Sequence, residues 1–357
     1  MRHRVSLGAA GQPAFILVIN SLVTDAVRCS FHTRGGDLIA DHLGWRIDYC
    51  QRARVAQYWL KNLTDDKSMA HQDKQDTRID HLIIVVPDLQ DATDQYSTLL
   101  GRSPSWQGTH PDYGTANTLF QLDNIYLELL AVKGHGPAAD IVQTLLDKRG
   151  SSLGGLVFGT QEATAFIKRA RSFDLIASDP VPGQGIDDNT GVPRHWRNIF
   201  WDTEAARGIF SFCIEHSETS ALPMSAVLAE SPITAVDHVV IKTHSADAAK
   251  RFYGEQLGIR LALEQAVPEW GGTQLFFRAS SMSIEVIATD NAPDHDEMWG
   301  LALKTADIDA TQNRLLSAGV GVTDVKAGRK PGTRVCTVKS HTLAIPTLLI
   351  EHPIADQ

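Results

Sequence analysis

From about residue 77 onward, short runs of β-branched and apolar residues alternate with polar turns. The clearest run, Arg78-Ile79-Asp80-His81-Leu82-Ile83-Ile84-Val85-Val86, predicts a strand. Pro87-Asp88 stops it, and Asp88 suits the N-cap of a helix over Leu89 to Leu100. Ala92, Tyr96, Leu99 and Leu100 share one face of that helix, and Gly101 suits a left-handed C-terminal position. Three strand-like stretches follow, around Trp106, from Thr115 to Leu122 and from Ile125 to Val132. The predicted order is β-α-β-β-β.

The same pattern returns later in the chain. Ala235-Val236-Asp237-His238-Val239-Val240-Ile241 repeats the first strand, and His81 and His238 lie 157 positions apart. Gly101 and Gly258, Pro111 and Pro268, and Glu128 and Glu285 are separated by the same number. Four landmarks at one offset indicate an internal duplication.

A weaker unit follows each copy. After a linker helix near Ala138 to Lys148, Leu153 to Thr160 reads as a strand and Glu162 to Phe173 as an amphipathic helix. Asp179 to Pro193 reads as a long polar loop, and strands at Trp196 to Trp201 and Gly208 to Glu215 close the unit. Its counterpart spans Met298 to His352, and the endings Ile214-Glu215-His216 and Ile350-Glu351-His352 match. The resulting plan is a first domain over 77–216, a linker over 217–232 and a second domain over 233–354, each of two β-α-β-β-β modules. Residues 1–76 resemble neither half and read as a poorly ordered or non-native extension, with Met69 as the natural start.

Composition narrows the partners. The chain has 357 residues, 43% hydrophobic and 21% charged, as in an ordinary globular protein. A net charge of −9 argues against nucleic acid or an anionic membrane. No apolar run reaches the roughly 18–20 residues of a membrane span. The four cysteines are scattered with no C-x-x-C, which favours a reducing, cytoplasmic compartment.

The repeated strand ends carry the candidate chemistry. If paired modules curl into half-open barrels, His81, Glu128 and Glu215 converge in one half and His238, Glu285 and Glu351 in the other. One imidazole and two carboxylates suit a divalent ion such as Fe, Mn, Ni, Co or Zn. A strand-end His or Glu is more often a solvated or hydrogen-bonded residue. Glu128 and Glu285, however, sit within apolar strands, where a carboxylate is costly unless paired or metal-bound.

The Asp-His strand, the helix ending in Leu-Gly and the Leu-Glu-Leu strand resemble the module of the vicinal oxygen chelate superfamily. Gly108 to Asn117 is similar to its glyoxalase-like branch. The resemblance covers about residues 77 to 354. It implies an α+β fold of four βαβββ modules paired into two half-open mixed-sheet barrels. It also implies metal ligands at His81, Glu128 and Glu215, and at His238, Glu285 and Glu351. A fourth family position falls near Gly154 and Trp299, neither of which ligates through its side chain.

The expected function is metal-dependent lyase or isomerase chemistry on a small oxygen-chelating substrate, with Glu128 or Glu215 moving the proton. His110 adds a candidate acid or base, and the first half is preferred as the active one. Tyr113, Arg194, His195, Trp196, Trp270 and Trp299 are candidate substrate contacts. A metal-free binding or sequestration protein is the alternative. An extradiol-type dioxygenase is a weaker one.

Overall fold

A computed structural model describes residues 77–217, 221–280 and 282–353, with the backbone of three short strands nearer the N-terminus. The chain divides into two units, Met1–Lys74 and Gln75–Gln357. In the first, β1 (Ile16–Leu17), β2 (Cys29–Arg34) and β3 (Asp37–Ala40) form an antiparallel sheet. The remainder of residues 1–76, including Met69, lies outside the described residues.

The second unit opens with β4 (Arg78–Val85) and α1 (Leu89–Leu100). Helix α1 forms where its caps and apolar face predict. Asp88 accepts from the Asp91 amide at 3.0 Å, and Gly101 adopts φ 66°. Its apolar face buries Ala92, Tyr96, Leu99 and Leu100. Then come β5 (Trp106–His110), β6 (Thr115–Gln121), β7 (Tyr126–Val132) and α2 (Pro137–Arg149). After these come β8 (Ser152–Gly159), α3 (Ala163–Ser172), β9 (Val181–Asp187), β10 (Pro193–Phe200) and β11 (Phe210–His216).

These eight strands close into a barrel in the order β10-β11-β8-β4-β7-β6-β5-β9. The first strands of the paired modules, β4 and β8, run antiparallel side by side, and each pairs in parallel with its own module's last strand. The middle of the barrel is therefore built from the ends of both modules. Closure rests on β9, which pairs with β10 and with β5. This stretch was expected to be loop. Its two glycines and proline hide its strand character, which its partners impose. Gly183 and Gly185 lie where a side chain would strike Trp196 and approach His110.

The other half repeats the plan with β12 (Ala235–Thr243), α4 (Ala246–Ala249) and a π-helical turn over Lys250–Gln256. There follow β13 (Arg260–Val267), β14 (Gly272–Ala279), β15 (Met282–Thr289), β16 (Glu297–Lys304) and α5 (Ile308–Ser317). It ends with β17 (Lys326–Ala327), β18 (Arg334–Val338) and β19 (Thr347–Glu351). Here the eight strands stay an open sheet, β13-β14-β15-β12-β16-β19-β18-β17. The counterpart of β9 is only two residues long, so nothing bridges to β13.

One apolar core runs through both halves, from Leu82, Ile84, Tyr96 and Leu127 to Val239, Ile241, Leu275 and Leu349. Side chains of one half also finish helices of the other. Arg314 on α5 donates to Thr98 O at 2.7 Å and Leu99 O at 2.9 Å, the orphan carbonyls ending α1. Arg169 on α3 donates to Gln256 O at 3.0 Å and Glu255 O at 2.9 Å, ending the π-helical turn. Asn124 accepts from Val236 N at 3.1 Å and donates to Val236 O at 2.7 Å. Among the described residues, no helix is long and apolar enough to cross a membrane.

Candidate ligand-binding site

The first barrel holds a cavity of about 100 Å³ that opens to solvent. Its walls are largely apolar, with Ile83, Leu130, Trp196, Phe200, Phe210 and Phe212. Its polar residues come from β4, β5, β6 and β7 on one side and from β10 and β11 on the other.

Strand geometry explains the cluster. The pairing of β4 with β8 slips between Ile79 and His81, so Asp80 is an extra, bulged residue. The same slip occurs at Asp237, between Val236 and His238. A bulge breaks the alternation of faces and re-aims its side chains. Asp80 Oδ1 consequently lies 2.7 Å from His81 Nδ1. On the other side of the ring, His81 Nε2 lies 3.3 Å from Glu128 Oε2. The ring also stacks on Tyr126, with centroids 4.3 Å apart.

The electrostatics follow. Burial disfavours charge on His81, but hydrogen bonds to Asp80 and Glu128 outweigh it and raise its pKa to about 9. For Glu128, burial works against ionisation, yet His81 and the Asn117 amide hold it below the ordinary carboxylate range. Asp80 is held lower still by His216 and His81, against its burial. At neutral pH an imidazolium therefore sits between two carboxylates. His216 completes the row, with Nε2 3.0 Å from Asp80 Oδ2.

The row continues across β6. Asn117 Nδ2 donates to Glu128 Oε1 at 2.7 Å and lies 3.3 Å from His110 Nε2. A donor so placed assigns the lone pair to His110 Nε2 and the ring proton to Nδ1, which faces Thr115 Oγ1 at 3.0 Å. Burial, aided by the positive charges of Arg194 and His81, lowers the His110 pKa, so its ring is neutral.

The structure brings together His81, Glu128, His110, Tyr113, Arg194 and Trp196, all lining the cavity. Trp196 meets His110 edge-on at 5.6 Å, and Arg194 lies over Trp106 at 5.1 Å. His195 is exposed and falls on the alternate face of β10. Trp299 is also exposed, beneath the Lys242 ammonium at 4.3 Å. The side chain of Trp270 lies outside the described residues.

Glu215 does not join His81 and Glu128. It accepts from the Ala163 amide at 2.9 Å, at the start of α3, and from Arg197 Nε at 2.6 Å. Period-2 alternation puts Phe210, Phe212, Ile214 and His216 on the cavity face of β11 and Glu215 opposite. Glu351 repeats this, accepting from the Ile308 amide at 2.8 Å at the start of α5. Both carboxylates complement the positive ends of helices.

In the second half, His238 Nδ1 lies 2.7 Å from Asp237 and Nε2 lies 3.2 Å from Glu285. Gln274 donates to Glu285, and His352 pairs with Asp237. The His110 position is taken by buried Val267.

These positions bear on the fit of a divalent ion. His81 and Glu128 face one another as two ligands would, with Asp80 orienting the imidazole from behind. Neither expected third position joins them. Glu215 is committed to α3, and Gly154 is the extra residue of a second β4–β8 slip. Among the described residues, no group of three or more His, Cys, Asp or Glu side chains is arranged to hold a metal. The residues present do not fit the expected three-ligand centre.

Sequence reasoning missed Asp80, Asn117, Asn198 and His216. Three carried a signal. Asp80 recurs as Asp237 and Asn117 is matched by Gln274, both at the offset of 157, and His216 is matched by His352 at the end of the second half.

Comparison with known proteins agrees with this architecture. Residues 79–234 match the Glyoxalase-like domain, and residues 237–337 match the Glyoxalase/Bleomycin resistance protein/Dioxygenase superfamily. The chain belongs to the vicinal oxygen chelate superfamily. No curated protein sequence matches it. Among solved structures of this superfamily's fold, it is similar to a triple mutant of 4-hydroxymandelate synthase from Streptomyces coelicolor. That match has 15% identity and a TM-score of 0.58, over 79% of this chain and 94% of that one. A Mn(II)-bound glyoxalase from Novosphingobium aromaticivorans matches at 13% identity and TM-score 0.52, over 78% and 82%. A hypothetical protein from Staphylococcus aureus matches at 12% and 0.54, over 78% and 100%. At these identities the likeness concerns the fold alone.

Proposed function

We propose that this chain acts through the cavity of its first half, which binds a small, largely apolar molecule without a three-ligand metal centre. The observation that carries the reading is the cavity itself. Aromatic walls surround one polar patch whose charges are already paired within the protein, through Asp80, His81 and Glu128. Such a site supplies apolar area for affinity and a few fixed polar groups for orientation. The second half, with an open sheet and Val267 in place of His110, serves as a structural copy.

One solved structure of similar fold is a Mn(II)-bound glyoxalase, but the binding reading needs no ion. A second reading, proton transfer of the lyase or isomerase kind, draws support from His110. Its neutral Nε2 lies beside Asn117 and in the field of Glu128, as a proton acceptor would.

Calorimetric titration of EDTA-treated protein with ethylbenzene tests the proposal. One-to-one binding, abolished when Leu130→Trp fills the cavity, is expected. Binding that appears only after Mn(II), Fe(II) or Zn(II) is added would overturn it.

A further inference from the structure

The strands of the first barrel are not joined equally. Two residue pairs link β5 to β9, Gly108 with Asp187 and Thr109 with Ile186. Each other pairing around the barrel links five or more. Two hydrogen bonds add to the seam, from Asp188 N to Gln107 O at 2.9 Å and from the Tyr113 hydroxyl to Pro182 O at 3.4 Å. The exposed pair of Lys133 and Asp188, 3.8 Å apart, adds little. Gly108, Gly183 and Gly185 bring no side chains to lock the two strands together.

The second half shows what the first becomes without this seam. Parting β5 from β9 leaves the order β5-β6-β7-β4-β8-β11-β10-β9. Strand for strand, that is the order of the open sheet, β13-β14-β15-β12-β16-β19-β18-β17. A pair of modules therefore stands without closure. On parting, β5 keeps its five pairs with β6, and β9 keeps its six with β10. Opening the seam is thus a local event, separate from unfolding of the barrel. The cavity calls for such an event. Its volume is about 100 Å³, whereas an engineered cavity that takes up benzene measures roughly 150 Å³. An aromatic ligand needs a wall that gives way, and Trp106, His110 and Gly185 of β5 and β9 line this one.

We propose that the β5–β9 seam is a gate, which parts to admit the ligand to the first cavity while the other seven strand pairings of the barrel stay intact. The inference rests on the binding reading above and adds how that site is loaded. A gate of this kind acts on the rate at which a ligand enters. Thr109 and Ile186 face one another across the seam and do not line the cavity, so joining them holds the gate shut without touching the site.

Stopped-flow tryptophan fluorescence tests this by following ethylbenzene binding to a Thr109→Cys, Ile186→Cys double variant, oxidised and reduced. A control, Gln184→Cys with His195→Cys, joins β9 to β10, a pairing that the gate leaves in place. Oxidation across the seam is expected to slow association roughly tenfold or more, and reduction to restore it. The oxidised control is expected to stay within about twofold of its reduced form. An oxidised seam that loads ethylbenzene at the reduced rate would overturn the gate and leave the cavity reading standing, since entry then uses the existing opening. Equal slowing in the control would do the same. Amide exchange in the wild type gives a second readout that needs no disulfide. Gly108, Thr109, Ile186 and Asp187 are expected to exchange faster than β4 and β8, and to slow when ethylbenzene is bound. Exchange at the seam as slow as in β4 would overturn the gate. Failure of ethylbenzene to bind the wild type would overturn both readings.

Discussion

Replacing His81 by Gln tests the electrostatics of the site through stability, with no ligand needed. The perturbation removes a cation held 2.7 Å from Asp80 and 3.3 Å from Glu128, at a position only 3% exposed. Folding raises the pKa of this imidazole from 6.5 to about 9. A difference of that size corresponds to roughly 3 kcal/mol of stabilisation by the protonated form. The direction follows from the raised folded-state value. Stabilisation is complete below about pH 6.5 and is lost as pH rises through about 9. Urea unfolding of wild type and His81→Gln between pH 6 and 10 gives the difference at each pH. His238 is present in both proteins, so its own titration cancels. The gap is expected to be about 3 kcal/mol at pH 6 and to close above about pH 9.5. A gap that stays constant over this range would refute a buried imidazolium at His81.

Three further outcomes separate structural from ligand-facing residues. Glu215→Gln removes the carboxylate from the start of α3 and from Arg197, and is expected to cost about 1–2 kcal/mol in urea unfolding. Ethylbenzene affinity in that variant should stay at the wild-type value, because Glu215 lies outside the cavity. Arg314→Met leaves the last carbonyls of α1 without their charged donor, and is expected to cost about 1.5–3 kcal/mol by the same assay. At Gly108 an added Cβ would lie 2.5 Å from Ile186 O on β9, across the seam that closes the barrel. Gly108→Ala is therefore expected to speed amide exchange in β9 and weaken ethylbenzene binding while the second half stays protected.

Much of the fold could be read before any coordinates. The span of α1 follows from Asp88, Gly101 and four apolar residues at helical spacing, because these are local signals that tertiary context did not override. The duplication was equally visible, since a repeat needs only a comparison of the chain with itself. Barrel closure was not. β9 carries Pro182, Gly183 and Gly185, and its extended backbone is set by partners on β5 and β10.

The site was legible in part for a related reason. His81 and Glu128 stand out as polar residues within apolar strands. Glu215 and His216 are adjacent, and only the register of β11 decides which of them faces the cavity. The alternation of Phe210, Phe212 and Ile214 with Ser211 and Cys213 held that answer, because the apolar members continue to His216 and not to Glu215. Asp80 joins His81 only through a bulge, a backbone event that no side-chain pattern announces.

The most direct test of the central claim is metal content by mass spectrometry, on untagged wild type and on His81→Ala, after anaerobic reconstitution with Fe, Mn, Ni, Co and Zn. With two facing ligands that neither expected third position joins, metal well below one equivalent, and the same in both proteins, is expected. Close to one equivalent in the wild type, lost in His81→Ala, would contradict the account and restore His81 and Glu128 as ligands of a working ion.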